Sequence, residues 1–314
     1  MAQWKQRFTY SAYFLKNAWF VMLWKLFRRK KGVERFLGQK EITQSYGEAM
    51  LRDHILSEEP FAAIRFGAVE LSCINNYEKI QLGLKKTYKP SVRYSMKNNA
   101  GFFPTDDENL THFSTQWIKD VSKADIIGIS GVHMEDYFFK KFCPRAKVIQ
   151  YQTFEPLRGY WTSALRGKRV LVISPFAKEI QEQYARRTSI IQDENLLPEF
   201  KLETIEAVQT LGDQNDPRFE TWFEALDHMK VEILKHDFDV ALVGAGAYGA
   251  ALCLFIRQLN KQAIQTGGAT QLLFGIMGKR WEKRPYVTRY VTSSWTRPLK
   301  KPAGSDKVEK GCYW

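Results

Sequence analysis

Cysteine and histidine are scarce in this chain: 314 residues hold four cysteines (Cys73, Cys143, Cys253, Cys312) and five histidines (His54, His112, His133, His228, His236). None of them stands in CxxC, HxH or HExxH spacing, which argues against a structural zinc site and for a reduced, cytosolic setting. GxSxG and Walker sequences are missing too, and no Ser/Cys–His triad can be read. No internal repeat or long low-complexity linker divides the chain. The first 36 positions contain a single acidic residue, Glu34, and their apolar run from Phe8 to Phe27 is interrupted by Lys16 and Lys25. As a spanning helix it would put Lys16 near mid-bilayer at a cost of roughly 2.5–3.5 kcal/mol, so a transmembrane span is not expected. A signal peptide is not expected either, because the basic cluster follows the apolar run and no small-residue cleavage site appears.

What the N-terminus has is aromatic and basic. Ten aromatic residues fall in positions 1–36, the run to Phe27 is followed directly by Arg28-Arg29-Lys30-Lys31, and the segment carries +8 of the chain's +13. Positions 297–314 carry a further +3, which leaves the body nearly neutral at +2. A nucleic-acid binder more often places its basic stripe on the folded body, so no nucleic-acid partner is expected. Trp and Tyr prefer the headgroup level and Lys or Arg an anionic leaflet. An interfacial helix on an anionic membrane surface fits these residues, and a helix packed on its own domain or on a partner subunit is the alternative. The apolar residues from Ala18 to Trp24 run all round such a helix. With 44% apolar and 14% aromatic residues the chain as a whole folds. Its divisions are 1–36, a body 37–296 and a basic tail 297–314.

Within the body, Phe238 to Trp281 holds the strongest local pattern. An apolar run, Val240 to Val243, meets Gly244-x-Gly246-x-x-Gly249, then a helical period to about Asn260, then a short strand ending at Gly267-Gly268. A buried strand, tight turn and helix N-terminus leave backbone N–H groups free to hold a phosphate. The alternative is that these glycines serve only close helix-on-strand packing. The spacing also fits a dinucleotide fingerprint, but it lies in the last third of the chain. The acidic residue expected about 20 positions later to hold a ribose is replaced by Gln265, Thr266 and Gly267.

Upstream, strands are predicted at 61–65, 125–129, 148–151, 169–173 and 202–208, separated by helices at 42–56, 66–74, 105–121, 135–142, 178–187 and 217–236. Residues 98–104 read as a loop. This alternation predicts an α/β fold with a Rossmann-like, doubly wound, mostly parallel sheet. Arg65 and Glu70 then fall at the C-terminal rim of the first strand, where such sheets bind ligands, unless they form only a salt bridge that ties the turn. Asp106, Asp107 and Glu108 are accounted for by the dipole of the helix they open. His133 alone among the histidines falls at a strand-end loop.

Ile64-Arg65-Phe66-Gly67-Ala68-Val69-Glu70 resembles the RFGDGE-type segment of bacterial glycosyltransferases with the GT-D fold. The segments 243–249, 267–275 and 278–281 resemble the closing segments of that group, often found with surface-polysaccharide loci. The resemblance covers roughly residues 40–296. It implies a nucleotide-sugar donor, a UDP-sugar by preference, and an acceptor that is a cell-surface polysaccharide or lipid-linked glycan. It also implies Mn²⁺ or Mg²⁺ held through an Asp-x-Glu motif. Here Ala68 stands at the aspartate position, which removes a hard oxygen ligand. Glu70 keeps the glutamate position, as metal ligand, sugar-hydroxyl acceptor or base, and Arg65 the leading arginine. Gly67, Gly244, Gly246, Tyr248, Gly249, Gly268, Thr270, Gln271, Lys279 and Arg280 are the implied donor-binding residues. The expectation is a cytoplasmic glycosyltransferase, peripheral at the inner face of the membrane. A non-catalytic member that binds a glycan or partner is the first rival, and an NAD(P)-dependent enzyme the second.

Overall fold

The computed structural model describes residues 3–27, 35–131, 134–210, 216–299, 301, 305–307 and 311–314. Helix α1 (Gln3–Phe27) and helix α2 (Gln44–Leu56) lead to strand β1 (Ala62–Arg65), helices α3 (Ala68–Gln81), α4 (Pro90–Ala100) and α5 (Asp107–Val121), and strand β2 (Ile126–Ile129). Helix α6 (Glu135–Phe142), strands β3 (Lys147–Gln150) and β4 (Arg169–Ser174), helices α7 (Ala177–Tyr184) and α8 (Arg187–Ile190), and strand β5 (Lys201–Glu206) follow. The last third runs through α9 (Trp222–Ile233), β6 (Val240–Val243), α10 (Tyr248–Gln258), β7 (Gln262–Ile264) and α11 (Thr270–Leu273).

The seven strands form one sheet in the order β3-β2-β1-β7-β6-β4-β5, and every pairing is parallel. Parallel strands covered on both faces read as continuous apolar runs, and successive side chains serve opposite layers. Ile127, Ile129, Leu171, Ile173, Ala241 and Val243 pack with α3, α5, α9 and α10. Ile126, Val170, Val172, Val240 and Leu242 pack on the other face with α2 and α11. The N-terminal edge of the sheet is pinned by charge. Asp125 accepts the Ala62 N–H at 2.8 Å and pairs with Arg257 at 2.5 Å, and Arg169 pairs with Asp239 at 2.6 Å.

The helix expected over 178–187 ends at Tyr184 and resumes as α8, and three further expected elements differ at their caps. Residues 98–100 are the last turn of α4, and the loop begins at Gly101, whose φ of 69° ends the helix in the left-handed region. The helix opening near 105 is capped by Asp106, whose side chain accepts the Asn109 N–H. The helix expected from 217 starts at Trp222, where Thr221 caps it by accepting from the Glu224 N–H.

Helix α1 packs one face on the body. The Arg7 Nε donates to the Leu82 carbonyl at 2.5 Å, the Tyr10 hydroxyl to Asn75 at 2.6 Å, and Lys16 and Asn17 both reach Asp136. Packing on its own domain is therefore what these residues do up to Asn17. Beyond it, Ala18 to Met22 are exposed. Among the described residues no helix is long and apolar enough to cross a membrane. Two motifs, the Arg28–Lys31 cluster and His133, lie outside the described residues.

Candidate functional site

From β4 the chain leads outward to β5, whereas from its neighbour β6 it leads the other way to β7. Open α/β sheets form their ligand crevice at such a reversal, beyond the C-terminal ends of the strands. A cleft open to solvent lies there. Its walls are Ser174-Pro175-Phe176 after β4, Val208-Gln209-Thr210 after β5, Gly244-Ala245-Gly246 and Tyr248 after β6, and Gly267, Gly268, Thr270 and Gln271 after β7. Asn99 to Gly101 at the end of α4 and Tyr313-Trp314 close it.

The glycine-rich turn is built as a cradle. Gly246 sits at φ 53° and is exposed. The Gly244 N–H is used by the Ile173 carbonyl, and those of Tyr248 and Gly249 by Ala245 and Gly246. Among the described residues the N–H groups of Ala245, Gly246 and Ala247 find no acceptor, so they stand free at the N-terminus of α10. Gly244 serves close approach: a Cβ there would meet Thr270 Oγ1 at 2.5 Å and the Gly267 carbonyl at 2.8 Å. Gly249 has a packing role, since its Cβ would meet the Gln265 side chain at 2.8 Å, away from the cleft walls. The packing reading of the glycines thus applies to Gly249, while the turn before α10 leaves N–H groups unpaired.

Arg65 ends β1 and approaches the same turn from behind. Its N–H donates to Gln265 Oε1 at 2.8 Å, its guanidinium stacks over Tyr151 at 4.4 Å, and it lies so close to Gly267 that a Cβ there would overlap it. Its Nε is buried with no partner. The salt bridge to Glu70 does not form; Arg65 reaches that carboxyl only as a through-space charge. Glu70, in the first turn of α3, folds back so that a Cβ on Gly67 would overlap its carboxylate.

Burial raises the Glu70 pKa above its ordinary 4.5, opposed by the hydrogen bond from its own N–H and by Arg65. A carboxyl raised on folding stabilises the fold fully only while protonated. Wild type is therefore expected to lose stability relative to Glu70→Gln as pH rises from about 4.5, with no further loss above the folded pKa. Urea unfolding of both proteins across pH checks this; parallel curves would contradict it.

The chain terminus supplies walls that composition did not reveal. Tyr313 packs on Gly268, its hydroxyl accepts from Arg280 at 3.1 Å, and its carbonyl accepts from Gln271 Nε2 at 3.1 Å. Burial raises the Tyr313 pKa, while Arg280 and Arg65 pull it down, which places both guanidinium groups around one phenol. The Lys279 and Arg280 N–H groups donate to the Trp314 and Cys312 carbonyls. Lys279 and Arg280 themselves flank the cleft without lining it. Tyr151, Tyr313 and Trp314 are the residues sequence reasoning missed. Gly268 is the only signal that could have found them, because a glycine in a buried turn marks the close approach of another group.

Of the expected donor-binding residues, Gly244, Gly246, Tyr248, Gly268, Thr270 and Gln271 meet in the cleft. Arg65, Gly67 and Glu70 form a second group behind Gly267. Gln271 is buried and its Oε1 has no partner. The residues do not fit a divalent ion held by carboxylates. Among the described residues no three His, Cys, Asp or Glu side chains cluster, Ala68 carries no ligand atom, and the Glu70 carboxyl is turned onto its own helix.

None of the curated proteins matches the chain. One solved structure with a similar path is described as a highly conserved domain of unknown function 1792 with a distinct glycosyltransferase fold. It is 14% identical, covers 72% of this chain and 82% of its own, and superposes at a TM-score of 0.32. Residues 48–273 match the family described as GT-D fold-like domain. With the match spanning most of the chain, including all seven strands and both glycine turns, this protein belongs to the GT-D fold-like family.

Proposed function

We propose that the cleft binds a nucleotide-sugar, a UDP-sugar by preference, and that the protein transfers its sugar to a cell-surface polysaccharide or lipid-linked glycan. The observation that carries this reading is the cradle of free Ala245–Ala247 N–H groups at the β4/β6 reversal, with the Arg65 guanidinium lying behind Gly267, one of the cleft walls. In glycosyl transfer the leaving group is a nucleoside diphosphate, so charge develops on its β-phosphate. Preorganised N–H groups and a partly buried guanidinium meet that charge with no metal-borne step. Tyr313, Trp314 and Phe176 offer aromatic surface to the base, and Gln271 an acceptor. Glu70, whose raised pKa makes its carboxylate a stronger base once ionised, is assigned as the proton acceptor for the incoming hydroxyl. The protein would act at the cytoplasmic face of a membrane.

Ligand-observed NMR on the full chain tests this with a panel of UDP-sugars, other nucleotide-sugars and NAD(P)(H), with and without Mn²⁺. The expected result is binding of a UDP-sugar without Mn²⁺, retained in Glu70→Ala because that residue serves the acceptor. Binding of NAD(H) alone would replace the reading with an oxidoreductase. Silence across the panel would leave a non-catalytic member whose glycines serve packing.

A further inference from the structure

We infer that the free tip of α1 inserts into an anionic bilayer surface and turns the cleft mouth toward that surface. The direction of α1 carries this. Arg7 is fixed to Leu82, at the end of α3, hence at the N-terminal edge of the sheet. Asn17 is fixed to the Met134 N–H and to Asp136, at the start of α6, hence at the C-terminal edge. The helix continues to Phe27, so its last ten residues project roughly 15 Å past the edge onto which the cleft opens.

Among the described side chains, those of the projecting part are apolar and mostly exposed. Trp19 is 57% exposed, Phe20 46%, Met22 43% and Leu26 67%. From Asn17 to Trp24 there is no charged residue, and Arg28-Arg29-Lys30-Lys31 follow in sequence. A protein groove would cover one side of a helix, whereas a tip apolar on all sides suits a medium that encloses it. Aromatic rings followed by a basic cluster match the headgroup layer of an anionic leaflet. The occupant is therefore a lipid surface, and the acceptor reaches the cleft from that surface. Only the identity of the acceptor rests on the glycosyl-transfer reading; lipid binding and orientation do not.

The full chain is sedimented with phosphatidylcholine vesicles with and without phosphatidylglycerol. Binding is expected only with the anionic lipid, and the triple variant Trp19→Glu, Phe20→Glu, Met22→Glu should partition roughly tenfold less or weaker still. Its thermal unfolding should match wild type, because the three side chains touch no core. Unchanged binding would overturn the inference, as would a variant that only turns a dimer into a monomer. Orientation is read from fluorophores on Glu206→Cys and Lys201→Cys, the exposed ends of β5, in a Cys312→Ser background because the other cysteines are buried. Headgroup-nitroxide lipids should quench the probe at 206 more strongly; equal or reversed quenching would overturn the orientation. Neither readout needs a donor, so a failed donor panel and a failed membrane test are separate results.

Discussion

Alanine at position 267 is expected to destabilise the protein by about 2–4 kcal/mol and to remove donor binding. Gly267 adopts φ 60°, and a Cβ there would overlap the Arg65 guanidinium. Two costs therefore combine: left-handed backbone for a residue with a Cβ, and displacement of a partly buried charged group stacked on Tyr151. Gly167 separates them, because its φ is 73° but a Cβ there meets nothing within 4 Å. Gly167→Ala should carry only the backbone cost, about 1 kcal/mol. Urea unfolding of the two variants gives the comparison. Equal losses would mean that Arg65 is not held against the turn.

Arg65→Ala is expected to lower kcat by roughly 10²–10³, the effect of removing one preorganised donor from a developing oxyanion. Arg65→Lys should rescue little, because an ammonium lacks the planar fork that stacks on Tyr151 and faces Gly267. Stability should change far less than rate, since the side chain makes no ion pair with Glu70. Steady-state transfer to a lipid-linked acceptor, beside urea unfolding of the same proteins, gives both quantities. Activity within a few-fold of wild type would remove Arg65 from the site.

The central strands were legible because β1, β2, β4, β6 and β7 are buried almost throughout and so read as short runs rich in Val, Ile, Leu and Ala. The turn after β6 was legible because a strand, spaced glycines and a helical period stood together. Helix α4 was not: Arg93, Tyr94, Ser95, Lys97, Asn98 and Asn99 give little apolar period, and Asn-Asn-Ala-Gly reads as a loop. The return of Tyr313 and Trp314 to the cleft was invisible for another reason. Their neighbours are basic, which reads as a solvated tail, and their partners Gly268, Gln271 and Arg280 are chosen by tertiary packing that no local pattern encodes. The same holds for Arg65, whose guanidinium stacks on Tyr151 beside Gly267 instead of pairing with the nearby Glu70. For α1, sequence showed an apolar tip without a clean face, and packing accounts for it: the hydrogen bonds that tie the helix to the body reach to Asn17, and Ala18 to Met22 are exposed.

Titration of the full chain with UDP, followed through amide chemical shifts, reads the proposed cradle residue by residue. Glycine amides fall in their own spectral region and mark the proposed cradle. Saturable shifts are expected at Gly246, Gly267 and Gly268, with Gly167, at the far edge of the sheet, unmoved. Shifts confined to residues outside the two glycine turns, or none at all, would contradict the proposed cradle.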